Sequence, residues 1–289
     1  MKDDYVYLNG AVLRRSEAKI PAMDRGFLYG DGLFETMRVV SGVAFRLDRH
    51  LERLSRACDE CLWGRRPDCG EIRGAAQRLL LKNQVTEGYL RITVSRGPYS
   101  GNLTDLAAQQ PTVFIDARPM DLPPLEAAPP YVLARSPYAL NERSPLARHK
   151  SLSYQANLLA LAEGRRRGAD EVYFLNSRRR LAECATSNLF FVQGSSVFTP
   201  AEQCGLLPGI TREAVLELCA ENRVACQTGE YGEEKLLSSD GAFCTNSLRG
   251  IVPVRAILGC EGGFVQNAVT ARLQSLYAAL VRRECSRQA

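Results

Sequence analysis

The chain has 289 residues, 45% hydrophobic and 24% charged, the balance of a globular protein with enough material for two domains or one large one. Its 37 basic and 32 acidic residues leave a net charge of +5 but are mixed along the chain, so the charge singles out neither nucleic acid nor a membrane surface as a partner. The N-terminus, MKDDYVYLNG, lacks the apolar core of a secretory signal, and no apolar run approaches the ~20 residues that cross a bilayer. The ten cysteines are therefore expected to be reduced thiols of a cytoplasmic protein.

In chain order, residues 5–13 and 33–47 read as hairpin strands around Asn9-Gly10 and Ser41-Gly42 turns. Between them, PAMDRGFLYGDGLFETMRV carries Gly26, Gly30 and Gly32. Their spacing lacks the strand-then-helix setting of a dinucleotide loop and suits tight backbone beside a pocket or a subunit neighbour. Asp48 can cap a helix over RHLERLSRACDECL, with Leu51, Leu54, Ala57 and Cys58 as its apolar stripe; Arg53 falls off that stripe and reads as solvated. A CxxC at Cys58 and Cys61, with Cys69 nearby, has no second pair or histidines to complete a zinc site, and no metal is expected. A second helix is expected over 71–83, strands over 89–95 and 112–116, and a polar loop over 97–110.

Residues 118–130 contain five prolines and form the best linker. The expected division is an N-terminal α/β domain over 1–118, an interdomain linker over 119–130 and a C-terminal domain over 131–289. Strands are expected over 131–135, 171–175, 189–193, 196–199, 226–229, 242–244 and 251–257. Helices are expected over 154–167, 211–222, about 233–238 and about 267–283. The clusters Arg165–Arg167 and Arg178–Arg180 read as a solvated helix face and a turn. The fold class is α/β (α+β).

Three features can carry chemistry. Lys150, in SPLARHKSLSYQANLLAL, is an amine at the lip of a helix. To form an imine it must lose its proton, which desolvation or the cationic neighbours Arg148 and His149 would favour; on local context alone it reads as a surface lysine. Glu183, in LAECATSNLFFV, is a carboxylate among small polar residues, able to hold a pyridine nitrogen protonated or to sit in an exposed turn. Gly209-Ile210-Thr211 opens a helix and suits a phosphate, or is a simple N-cap. Cys244-Thr245-Asn246-Ser247 offers further phosphate donors or just a turn.

The order of DRGFLYGDGLFETMRV, HLERL, YLRITVSRG, SPLARHKSLSYQANLLALAEGRRRGADEVYFLN, LAECATSNLFFV, GLLPGITREAVLEL and TNSLRGIVPV resembles the fold-type IV enzymes of pyridoxal 5'-phosphate (PLP), the class IV aminotransferases, over nearly the whole chain. The resemblance implies a small N-terminal α/β domain and a larger, barrel-like C-terminal α/β domain, with PLP between them in a homodimer. It implies that Lys150 is the Schiff-base lysine and proton shuttle, that Glu183 pairs with the pyridine nitrogen, and that Tyr154 lies beside the cofactor's hydroxyl. Arg53, Ile210, Thr211 and Ser247 or Asn246 would hold the phosphate.

The family includes branched-chain and D-amino-acid aminotransferases and aminodeoxychorismate lyases. The Arg-x-His trap of the D-amino-acid enzymes is replaced here by Gly101 and Leu103. TNSLRGIVPV looks more like the lyases, whereas Glu35 stands where one lyase subgroup has a threonine that helps in elimination. Glu35, Arg38, Arg91, Arg96 and Arg249 are the candidate substrate contacts, the arginines because a guanidinium binds carboxylate bidentately. The expected reaction is transfer of an amino group between an amino acid and a 2-oxo acid; the alternative is release of pyruvate and 4-aminobenzoate by an aminodeoxychorismate lyase.

Overall fold

A computed structural model describes residues 4–99, 101–104, 106, 110–264 and 267–286. The described chain divides into two compact units. The first holds the chain up to Leu122, the short segment His149–Tyr154 and the residues from Val281 on. The second holds Pro123–Arg148 and Gln155–Leu280. The unit boundary at Leu122 lies inside the proline-rich linker, but the lysine segment expected in the C-terminal half belongs to the first unit.

The first unit begins with β1 (Tyr5–Leu8) and β2 (Ala11–Arg14), followed by α1 (Arg25–Tyr29), β3 (Gly32–Val40) and β4 (Val43–Ala44). Helices α2 (Leu47–Glu60) and α3 (Cys69–Lys82) precede β5 (Gly88–Ser95) and β6 (Thr112–Pro119). The strands form one sheet in the order β2-β1-β6-β5-β3-β4. Asn9 and Gly10 both take positive φ, 46° and 96°, as the two-residue turn that matches strand twist requires. Leu51, Leu54, Ala57 and Cys58 of α2 and Ile72, Ala75, Ala76 and Leu79 of α3 pack in one core with Leu33, Met37, Leu90, Ile92 and Ile115 from one face of the sheet. Each such leucine or isoleucine contributes roughly 1.5–3 kcal/mol by burial.

Helix α2 starts earlier than the expected cap at Asp48. Arg46 is its N-cap residue, and Asp48 lies in the first turn, 2.8 Å from Arg73 Nε. Cys58 is buried in this core, and burial pushes its thiol up to about 12, the behaviour of a packing thiol. Helix α1 was not legible: five residues, RGFLY, are too few to show a period, and it is defined by its ends. Asp24 Oδ1 accepts the Gly26 N–H, and Gly30 closes it at φ 65°. Of the polar loop 97–110, residues 100, 105 and 107–109 lie outside the described residues.

The second unit contains β7 (Tyr131–Arg135), α4 (Gln155–Arg166), β8 (Glu171–Leu175), β9 (Leu181–Cys184), β10 (Asn188–Gln193) and β11 (Ser196–Pro200). After these come α5 (Ile210–Glu221), β12 (Cys226–Gly229), α6 (Glu233–Leu237), β13 (Gly241–Asn246), β14 (Gly250–Ile257) and α7 (Ala268–Ser286), whose last turns belong to the first unit. The sheet order is β12-β11-β10-β13-β14-β7-β8-β9. It curls so that β9, at its end, packs beside β10, giving the unit its barrel-like form. Leu133, Tyr173, Leu181, Leu189, Phe191 and Val254 fill one of its cores. Strand β9 escaped sequence reading because four residues with one charge among them carry little alternation.

Candidate active site

In the first unit, Lys150 is fixed by its backbone. Its carbonyl accepts the Phe34 N–H at 2.8 Å, and Leu152 N–H donates to the Gly32 carbonyl at 2.8 Å, so 150–152 lies along the start of β3. Gly32 makes this possible: a Cβ there would stand 2.5 Å from Leu152 Cδ1 and 2.5 Å from the Val94 oxygen. The Lys150 amine lies 4.3 Å from the Phe34 ring centroid and 5.6 Å from that of Tyr154, and these two rings meet edge to face at 5.5 Å. Arg91, on β5, places its guanidinium carbon 4.1 Å from the same Phe34 centroid. Burial lowers the Arg91 pKa, and no carboxylate lies within ion-pair distance of it among the described residues. His149, the residue before Lys150, places Nε2 3.4 Å from Glu60 Oε2.

Arg53 is not the solvated residue its position suggested. It is 6% exposed, with Nε donating to Glu35 Oε1 at 2.8 Å and Nη2 to Glu35 Oε2 at 2.6 Å. Glu35 is 1% exposed and also meets His50 Nδ1 at 2.6 Å. Burial raises the carboxyl, but the Arg53 guanidinium and His50 outweigh it and hold Glu35 down to about 2. Burial pushes the His50 imidazole below its ordinary value against the pull of Glu35, so the neutral ring donates from Nδ1 to the ionised carboxylate. His50 went unnoticed in the sequence, although it stands three residues before Arg53, one helical turn away.

The remaining candidates of this unit differ in availability. Arg38 is buried on β3. Arg96 is occupied: it donates to Asp31 at 2.9 Å and to the carbonyls of Leu62, Leu106 and Cys61, with Trp63 under its guanidinium at 5.1 Å. Four of its five N–H donors hold loops together, which leaves no fork for a bidentate grip on a substrate.

The second unit gathers the other candidates. Glu183, on β9, accepts hydrogen bonds at Oε2 from Asn188 Nδ2 at 3.2 Å and from the Leu207 N–H at 3.0 Å. The turn between β9 and β10 is pinned by buried Glu171, which accepts from the Thr186 N–H at 3.1 Å, from the Thr186 hydroxyl and from Ser187 Oγ at 3.2 Å. Gly209 is the N-cap residue of α5 and no side chain caps the helix; Thr211, read as its cap, is the second helical residue. Asn246 Oδ1 accepts the N–H groups of Leu248 and Arg249 at 3.1 and 2.9 Å, closing TNSLRG into a turn that carries Ser247. Thr245 Oγ1 beside it is buried without a hydrogen-bond partner. Arg249 lies over the Tyr131 ring at 5.5 Å.

The first unit thus holds one amine against two rings and one arginine clamped by a buried carboxylate, and the second holds one carboxylate with two donors and one helix start without a side-chain cap. Comparison with known proteins gives the chain a family. The model for amino-transferase class IV matches residues 32–257, and the chain belongs to that family, whose enzymes are PLP-dependent. It is 31% identical to the aminodeoxychorismate lyase of Bacillus subtilis over 94% of this chain and 93% of the relative. Its fold superposes on the branched-chain amino acid aminotransferase of Escherichia coli with a TM-score of 0.89, at 27% identity over 97% of this chain and 95% of the other. It superposes on the 4-amino-4-deoxychorismate lyase of Pseudomonas aeruginosa with a TM-score of 0.82, at 27% identity over 94% and 97% of the two chains.

Proposed function

We propose that this chain is a homodimeric cytoplasmic PLP enzyme acting through Lys150, and that its reaction is the lyase cleavage of 4-amino-4-deoxychorismate to pyruvate and 4-aminobenzoate. The observation that carries the choice is the placement of Glu35. As the residue standing where one lyase subgroup has a threonine, it was one of the features that spoke against a lyase. Its carboxylate is instead committed to Arg53 and His50 on the core face of the sheet, so its identity bears on arginine placement and not on substrate chemistry. The TNSLRG turn and the 31% identity to a lyase support the same choice.

The residues fit PLP. The uncapped start of α5, with Ile210 and Thr211, offers N–H groups and a hydroxyl to a phosphate, and Ser247 and Asn246 sit at a polar turn beside the orphaned Thr245 hydroxyl. Arg53 would add its charge to the same phosphate, Glu183 would hold a proton on the pyridine nitrogen, and Tyr154 would stand by the ring hydroxyl. Bound PLP supplies an electron sink for the carbon that bears the substrate amine. The Lys150 amine would take the proton from that carbon. Loss of the enolpyruvyl group as pyruvate would then leave the aromatic amine, with no water or second substrate consumed. Arg91 and Arg249, neither within ion-pair distance of a carboxylate among the described residues, suit a substrate with two carboxylates.

Transamination between an amino acid and a 2-oxo acid is the second reading, and the higher TM-score to the branched-chain aminotransferase favours it. The fold alone does not choose between chemistries. The deciding experiment is an absorbance titration of purified protein loaded with PLP. Pyruvate released from aminodeoxychorismate without any oxo acid, and a visible band unmoved by L- or D-amino acids, is the expected result. A band that collapses with one amino acid alone would give the function to the transaminase. Lys150→Ala should abolish both the band and turnover; full activity in that variant would refute the role of the amine.

A further inference from the structure

In the second unit Asn188 touches both groups assigned above to the cofactor. It is 4% exposed. Its Nδ2 donates to Glu183 Oε2 at 3.2 Å and to the Leu207 carbonyl at 2.8 Å, while Leu207 returns its own N–H to the same Glu183 oxygen at 3.0 Å. Two residues beyond Leu207, Gly209 starts α5, and a Cβ on Gly209 would collide with Asn188 Oδ1. Gly209 has φ −70° and ψ 137°, a conformation any residue adopts, so glycine is needed there only for closeness to Asn188. One amide thus holds a carboxylate oxygen on one side and the entry to a helix start on the other.

We propose that Asn188 is a positioning residue that sets Glu183 and the first turn of α5 in a single register, so that grip on the pyridine nitrogen and grip on the phosphate are adjusted together. The inference rests on the PLP reading given above. Its physical basis is that only the Nδ2 end of this amide can donate to the carboxylate, and that its oxygen fills the space a side chain on Gly209 would take. Packing alone would require only the shape of Asn188; the register requires its Nδ2 donor and its closeness to Gly209.

The test compares PLP-loaded wild type with Asn188→Asp, Asn188→Ala, Gly209→Ala and the double variant Asn188→Ala/Gly209→Ala. Two quantities are read: the PLP dissociation constant, and the pH midpoint of the visible band. Asn188→Asp keeps the shape but replaces the donor with a second carboxylate beside Glu183. It should weaken PLP binding by roughly 10-fold or more and move the pH midpoint. Gly209→Ala should weaken binding by a similar factor in the wild-type background and by less than about twofold in the Asn188→Ala background, because the clash has gone. An Asp variant within about twofold of wild type in both readouts, or strictly additive Ala variants, would overturn the inference while leaving the PLP reading intact. Absence of any visible band in the wild type would overturn the PLP reading, and the inference with it.

Discussion

At the scale of single residues, Glu35 is the clearest case of a charge whose value depends on its partners. Its carboxyl is lowered from the ordinary 4.5 to about 2 in the folded state. A lowered carboxyl stabilises the fold above its unfolded value and loses that contribution as pH falls through the folded one. Thermal unfolding followed from pH 7 to pH 2 should therefore show stability falling below about 4.5. The shift is worth roughly 3 kcal/mol. His50 is also lowered by burial, so the unfolded chain takes its proton first, and a further loss should begin below about 6.5. Glu35→Gln should cost about 3 kcal/mol by leaving the Arg53 charge unbalanced, and should flatten the loss below about 4.5. An unchanged melting profile in that variant would contradict the ion-pair account. None of this was legible in HLERL, because the acid that draws Arg53 inward lies eighteen residues upstream on a different element, and helical spacing alone places an arginine in water.

At the scale of elements, the contrast is between Gly32 and Gly74. Gly32 lets Lys150–Leu152 lie against β3, and Gly32→Ala should push that segment off the strand and reduce turnover by roughly 100-fold, as small displacements of a reacting group do. Gly74 lies inside α3, where a Cβ meets only the mobile tip of Arg78 at 3.3 Å. Gly74→Ala should raise stability by about 0.5–1 kcal/mol with turnover unchanged, read by denaturant titration and steady-state kinetics. Long elements were visible in the sequence because their burial is periodic, as in α2 with Leu51, Leu54 and Cys58. Helix α1 and strand β9 were not, because they are fixed by an Asp24 cap and by neighbouring strands, which no window of four or five residues contains. Lys150, Glu183 and the start of α5 were singled out by residue type and given roles by the family resemblance; Asn188, in SNLF, offered only an unremarkable polar letter.

At the scale of the whole molecule, the first unit exposes Phe27 at 76% together with Ile20, Met23 and Tyr29, beside a hollow of about 410 Å³ lined by Ile20, Pro21, Phe114 and Leu152. An exposed apolar cluster of this kind is what a subunit contact would cover, in keeping with the homodimer proposed above. Sedimentation should give a dimer, and Phe27→Asp should shift it towards monomer; a wild-type monomer at micromolar concentration would count against the assembly.

The division of the chain also has a consequence for how the protein is made. The first unit takes residues up to Leu122, then lets the chain depart and recovers only six residues, His149–Tyr154, before the tail returns at Val281. Synthesis runs from the N-terminus, so β3 leaves the ribosome long before the lysine that must lie along it. Closing so long a loop between Gly32 and Leu152 costs entropy that a nearby pairing would not. A nascent chain halted after the proline-rich stretch would contain strands, helices and a core, yet not Lys150. The amine proposed to react is a late arrival, and catalytic competence should lag behind the appearance of helical signal during refolding.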